Sequence, residues 1–221
     1  MLGRGFLAIW SDIDAQLETD YVHWLTHEHT TERVSTDGFM AVRVFRALKP
    51  VTRRYLIIYE LESPDVVNSP AYLDKLNNPT PWTQRTLPIL KNFMRGGGRL
   101  AHSAGTGHGG FVAALTLRHS PADGKKIVAT LVLCDRVVAV RLYETDQERT
   151  AVKTKEKVVR HVEPGADDRS FSGVLLIEGI DESSLEAAIA RLNEINPEMV
   201  RHSTVGATVY TSVFSLEKRV L

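Results

Sequence analysis

A single cysteine, Cys134, is all the chain offers toward thiol chemistry. One thiol excludes an intrachain disulfide and a cysteine-built zinc site. It follows the apolar run Leu131-Val132-Leu133, where a small buried hydrophobe is the expected role. A basic excess is also missing: 27 Lys and Arg against 27 Asp and Glu leave a formal net charge of zero. Binding nucleic acid through its phosphates needs such an excess, because affinity there comes from released counterions. The pairs Arg53-Arg54 and Lys125-Lys126 are too short to replace it. No stretch approaches the roughly 20 apolar residues of a membrane span. The opening MLGRGFLAIWSDID reaches acids too soon for a secretory signal. The expected compartment is the cytoplasm, with neither nucleic acid nor membrane as partner. No G-x-S-x-G is present, so nucleophilic serine chemistry finds no support.

What the chain does have is concentrated in Glu18 to Phe39, ETDYVHWLTHEHTTERVSTDGF, which holds three of the eight histidines. Leu17, Tyr21, Trp24, Leu25 and Glu28 recur at helical spacing, and Gly38 is a helix stop because glycine takes a left-handed backbone without a side-chain clash. At about 100° per residue the stripe contains Glu28 and Glu32, with His29 at its margin. The same rotation puts His23, His27 and Thr30 on the opposite face. Two carboxylates where a structural helix would carry leucine require a partner, a shifted protonation or a function.

The rest of the chain supplies a frame. Gly5–Ser11, Phe39–Leu48, Arg54–Leu61 and Arg99–Ser103 read as strands. Ser69-Pro70 opens a short helix, Pro81-Trp82 another that runs to Phe93 with a bend at Pro88, and Gly96-Gly97-Gly98 reads as a flexible connector. The order β-α-β-β-α-β is the ferredoxin-like plan. It recurs after residue 110: strands at Gly110–Leu117, Val137–Glu144, Gly173–Ile180 and Thr208–Leu216, helices at Ala122–Leu133 and Glu182–Ile195, and a charged loop containing Val162-Glu163-Pro164-Gly165. The expectation is an α+β fold of two tandem ferredoxin-like units, 1–104 and 110–221, forming an α+β barrel. Each sheet has a face its own helices cannot cover, which the other sheet supplies within the chain or across a dimer.

Several candidate sites can be weighed on spacing. His27-Glu28-His29 lacks the His-Glu-x-x-His order of a zinc helix, and no metal site is expected. Gly105-Thr106-Gly107-His108-Gly109-Gly110 formally contains G-x-G-x-x-G, but it leads into a strand rather than a helix, so an interdomain loop is expected. His108 on that loop, and Trp82 beside Thr83 and Arg85, are candidates for the rim or wall of a ligand pocket. Glu28, His29, Glu32 and Arg33 allow two readings. One is a buried ion-pair network closed by Arg33, Arg43 or Arg46. The other is an acid–base site in which the carboxylates hold His29 in one tautomer and raise its pKa.

Trp24-Leu25-x-x-Glu28-His29-x-x-Glu32-Arg33 followed by Asp37-Gly38-Phe39 resembles the W-Y-x-x-E-H-x-x-E-R…P-G-F segment of the dimeric α+β barrel superfamily, with its EthD-like and stress-responsive relatives and a two-domain uncharacterised subgroup. Leu25 stands where tyrosine is usual and Asp37 where proline is. The Tyr55-Leu56-x-x-Tyr59-Glu60-Leu61 and Asn78-Pro79-Thr80-Pro81-Trp82-Thr83 segments are similar to the longer relatives. The resemblance implies a small-molecule pocket between helices and sheet, a homodimer, and metal-free acid–base chemistry on a lactone, enol or quinone type of substrate. It carries over His29, Glu28 and Glu32 as catalytic residues and Arg33, Trp24, Trp82 and His108 as substrate-binding ones. No cofactor is expected. Haem on His29 or His102 is the alternative, and a non-catalytic ligand-binding or stress-related barrel is the alternative function.

Overall fold

Eight strands form the sheet: β1 (Gly5–Asp12), β2 (Phe39–Ala47), β3 (Tyr55–Leu61), β4 (Lys91–Gly105), β5 (Phe111–Leu117), β6 (Val137–Thr145), β7 (Gly173–Gly179) and β8 (Thr208–Glu217). Of these, β1, β3, β5 and β7 are apolar and buried on both faces, and because side chains alternate across a strand each of the four serves two cores at once. The computed structural model describes residues 3–150, 152–160 and 171–218. All strand pairs are antiparallel, and the ring closes in the order β1-β3-β2-β8-β5-β7-β6-β4. The first four strands therefore lie as β4-β1-β3-β2 and the last four as β8-β5-β7-β6, the same relation twice.

The inner faces meet in one core. Phe6, Ala8 and Trp10 of β1, Leu56 and Ile58 of β3, and Val174 and Leu176 of β7 fill the barrel with Phe45, Tyr143 and Tyr210. The barrel closes within a single chain. Closure leaves the eight-stranded sheet without a free edge.

The outer faces are covered by helices. On the first half these are α1 (Glu18–Trp24), α2 (Thr30–Val34), α3 (Pro70–Asn77) and α4 (Pro81–Thr86). Ser69 and Thr80 cap α3 and α4 through their hydroxyls, each followed by proline at the first helical position. On the second half α5 (Gly124–Leu131) and, after the short α6 (Gln147–Thr150) and α7 (Lys155–Val159), α8 (Glu182–Ile195) and α9 (Pro197–Arg201) pack over Ala113, Leu115, Leu142 and Ile177. The Asp181 carboxylate caps α8. Among the described residues no helix is long and apolar enough to cross a membrane.

Four local expectations change. Gly96-Gly97-Gly98 is not a connector but the middle of β4. A Cβ on Gly96 would strike the Phe171 ring, and one on Gly98 the Glu144 carbonyl, so the glycines let neighbouring chain approach the strand. The helix from Pro81 ends at Thr86 and gives way to a 3₁₀ turn at Leu87–Ile89. The passage read as a charged loop contains α6 and α7, while Val162-Glu163-Pro164-Gly165 lies outside the described residues. Cys134 is only partly buried, because α5 ends before it and Leu133 beside it is 81% exposed.

One end of the barrel is charged. Glu178 is fully buried and accepts two hydrogen bonds from Arg43, at 2.6 and 3.0 Å, one from the Gly109 amide at 3.1 Å, and an ion pair from Arg141. Burial opposes its charge, but His108 and Arg43 outweigh burial and hold the carboxyl at about 2.

Candidate active site

The helix that was expected to run unbroken from Glu18 does not. After Trp24 it widens into a π-turn over Leu25–His29, then resumes as α2. The Thr30 amide and the Thr30 hydroxyl both donate to the Leu25 carbonyl five residues back, the latter at 2.7 Å. A π-turn adds about one residue to the turn and so rotates everything downstream. His29 and Arg33 take the inward places that Glu28 and Glu32 hold in an unbroken α-helix. His29 is 6% exposed, Arg33 2% and Thr30 0%. Glu28 and Glu32 move to the margin, half-buried, and Thr30, expected on the solvent face, is inside. His23 and His27 are exposed, as the stripe requires.

The inward groups line a cavity between the outer face of the first-half sheet and its helices. Ile9 and Ser11 of β1, Ile57 and Tyr59 of β3, and Phe93 and Arg95 of β4 form its floor. Tyr21, Trp24, His29 and Arg33 form one wall, Tyr72 and Leu76 of α3 another. Glu156 and Lys157 of α7, with Thr154 and Arg160 at its ends, reach across from the second half of the chain to seal it. The cavity volume is about 40 Å³, enough for about three water molecules.

Each polar lining group has a distinct environment. Trp24 donates its indole N–H to the Thr83 hydroxyl at 3.2 Å, and the His29 ring lies against the indole, 4.1 Å between centroids and tilted by 30°. His29 Nδ1 is buried without a hydrogen-bond partner. Burial, and then the charge of Arg33, hold its pKa well below the usual 6.5. This reverses the expected raised pKa: the carboxylates thought to flank the imidazole have turned away, and a guanidinium has turned in. Arg33 bonds Glu32 at 3.1 Å, pairs with Glu156, and lies over the Tyr72 ring at 5.6 Å. Burial works against its charge, but Glu156, Tyr72 and Glu32 more than offset that. Burial raises the Glu32 carboxyl above its ordinary range, with Arg33 opposing. Glu28 accepts a 2.6 Å hydrogen bond from Thr80, the cap of α4, and so ties two helices together rather than facing His29.

Trp82 and His108 lie elsewhere. The Trp82 indole N–H reaches Asp20 at 3.4 Å on the outside of α1, with Arg85 5.0 Å from its ring. His108 sits at the charged end of the barrel, 3.4 Å from both Glu60 and Glu178, on the other side of the sheet from the cavity. His102 is beside Gly124 at the start of α5. At about 40 Å³ as it stands, the cavity beside His29 holds neither a tetrapyrrole nor any other ring-sized ligand without opening. Among the described residues no three His, Cys, Asp or Glu side chains are grouped to hold a metal ion.

Sequence reasoning missed Tyr59, Tyr72, Arg95 and Glu156. Tyr59 carried the one available signal, a phenol among apolar residues in a strand buried on both faces. Glu156 carried none, because only the folded chain brings α7 to Arg33.

No family model matches the chain, and no curated protein does. Solved structures do. An anthrone oxidase-like protein superposes with a TM-score of 0.62 at 12% identity, over 97% of this chain and 92% of that one. A candidate monooxygenase from Fusobacterium nucleatum subsp. nucleatum gives 0.54 at 12% identity, over 100% and 98%. The chlorite dismutase from Candidatus Nitrospira defluvii, in complex with imidazole, gives 0.53 at 8%, over 96% and 91%. Likeness at these identities establishes the α+β barrel and leaves the chemistry to the residues.

Proposed function

We propose that this chain is a cytoplasmic small-molecule enzyme that removes a proton from an oxygenated organic substrate of enol, lactone or quinone type, using acid–base groups of its own and no metal. The observation that carries the reading is His29: buried at the cavity wall, held neutral, with a ring nitrogen bonded to nothing, on the same wall as a charged Arg33. A neutral imidazole can accept a proton, and a fixed guanidinium favours the oxyanion that forms as the proton leaves. Trp24 fixes the ring by stacking. Glu32 and Glu156 hold Arg33, and Glu28 anchors the helix that carries Thr83. As it stands the cavity has room for about three waters, so a ring-sized substrate enters only as Glu156 parts from Arg33.

Two further elements belong to the same reading. The repeated strand order supports two ferredoxin-like units, 1–104 and 110–221. A homodimer follows from the superfamily resemblance, and light scattering at twice 24.6 kDa would support it.

The name of the first structural neighbour suggests a probe. Anthrone carries an acidic methylene para-conjugated to a carbonyl. His29 would take one proton, leaving charge on the oxygen, and dioxygen would then add at carbon, so that CH₂ and O₂ become C=O and H₂O. The test is aerobic incubation with anthrone, following anthraquinone and oxygen uptake. The protein should accelerate conversion, and His29→Gln should lower the rate about 100-fold or more. An unaffected His29→Gln rate would end the reading. Binding without turnover would favour the non-catalytic barrel.

A further inference from the structure

Three tyrosines line the cavity, and two have their hydroxyls engaged. Tyr21 shares a 2.9 Å hydrogen bond with Ser11, and Tyr72 accepts from Arg95 at 3.3 Å. Tyr59 differs. It is 0% exposed, and its hydroxyl has no partner. Its ring is well seated, edge-on to Phe39 at 5.4 Å, so phenylalanine would fill the place as well. An unpaired buried hydroxyl disfavours the folded state, because it lost its water and gained nothing. Arg33 acts on it electrostatically, and His29 Nδ1, on the same cavity, is likewise buried without a hydrogen-bond partner.

We propose that Tyr59 is a specificity-determining residue whose hydroxyl donates to a ligand oxygen that also faces Arg33, so that the cavity selects phenols and enols and holds them as their anions. A hydroxyl donor and a guanidinium converging on one oxygen recognise an oxyanion, and the buried setting strengthens both. The aromatic lining suits a flat, conjugated ligand. This rests on the cavity being the site named above, and it adds the group that binds the substrate oxygen while His29 takes the proton.

The test is a titration with 4-nitrophenol, whose phenolate is coloured, on the full chain and on Tyr59→Phe. The parent should bind the phenolate in preference to the phenol, lowering the probe's apparent pKa. Tyr59→Phe should bind it roughly 10- to 100-fold more weakly, the range for losing a hydrogen bond to a charged group, and should release the shift in the probe's pKa. Its thermal midpoint should be unchanged or higher, since the hydroxyl it loses is bonded to nothing. A merely structural tyrosine would give the opposite pair of results. Equal affinity in parent and variant, a sharp fall in the midpoint, or a parent that binds no phenolate would each overturn the inference. Binding needs no turnover. A chain that holds the phenolate through Tyr59 but leaves anthrone untouched overturns the catalytic reading alone. Anthrone turnover with Tyr59→Phe unimpaired overturns this inference alone.

Discussion

Arg33 and Glu156 stand 123 residues apart in the chain and meet as an ion pair across the mouth of the cavity, one from the first-half helix and one from α7 of the second half. The pair couples the two halves outside the barrel, and Glu156 occupies the guanidinium that a substrate oxygen would need.

Glu156→Gln removes that charge and leaves Arg33 with Glu32 alone. Breaking one side of a buried pair strands charge, so stability should fall by about 2 kcal/mol, less than the full cost because Glu32 remains. Urea denaturation measures this. The same variant should bind 4-nitrophenolate more tightly than the parent, as the guanidinium is freed. Weaker binding would show that Glu156 helps to hold the ligand instead of keeping its place.

His29 links folding to pH. The folded imidazole titrates well below 6.5, while the unfolded one titrates near it. Below pH 6.5 the unfolded chain therefore binds a proton that the folded chain refuses, and stability falls as pH drops. The slope approaches about 1.4 kcal/mol per pH unit for one proton. Glu32 runs the other way: its raised carboxyl loses stability as pH rises above 4.5. Comparing the parent with His29→Gln between about pH 5 and 6.5 cancels the carboxylate contributions. The parent should show the steeper slope. Parallel slopes would mean that His29 is charged in the folded chain.

At the barrel's end, Glu178→Gln keeps the shape but removes the negative charge beneath two buried guanidiniums, Arg43 and Arg141. The expected loss is about 3–5 kcal/mol by denaturant titration at neutral pH. The sign against pH is opposite to that of Glu32. The folded Glu178 carboxyl sits at about 2, against 4.5 unfolded, so its contribution is complete above 4.5 and lost as pH falls toward 2. That acid-limb loss should be present in the parent and absent in the variant. A cost under about 1 kcal/mol would mean that the two arginines find other partners.

Much of the barrel was legible because its strands are short apolar runs and its helix starts are marked: Ser69-Pro70 and Pro81-Trp82 open helices whose caps, Ser69 and Thr80, form the expected hydrogen bonds. Gly38 was legible as a stop and has φ +84. Part of what escaped has its reason far away in sequence. Gly96 is in a strand because Phe171 needs the space. Glu156 belongs to the cavity because α7 crosses to Arg33. The cluster Glu28-His29-Glu32-Arg33 was found by its composition, but the side chains that face inward were misassigned, because a 3.6-residue period has no place for a five-residue hydrogen bond.

The π-turn sets the polarity of the cavity. In unbroken α register the ten residues from Trp24 to Arg33 turn two carboxylates toward Tyr59 and Tyr72, and such a surface repels anions. With one residue inserted into the turn, the same ten present an imidazole and a guanidinium, and the surface attracts them. The widened turn acts as a selector between two chemistries encoded in one segment. Deleting one residue at Thr26 or His27 therefore takes the insertion out, restoring the α-turn while His29 and Arg33 keep facing the cavity.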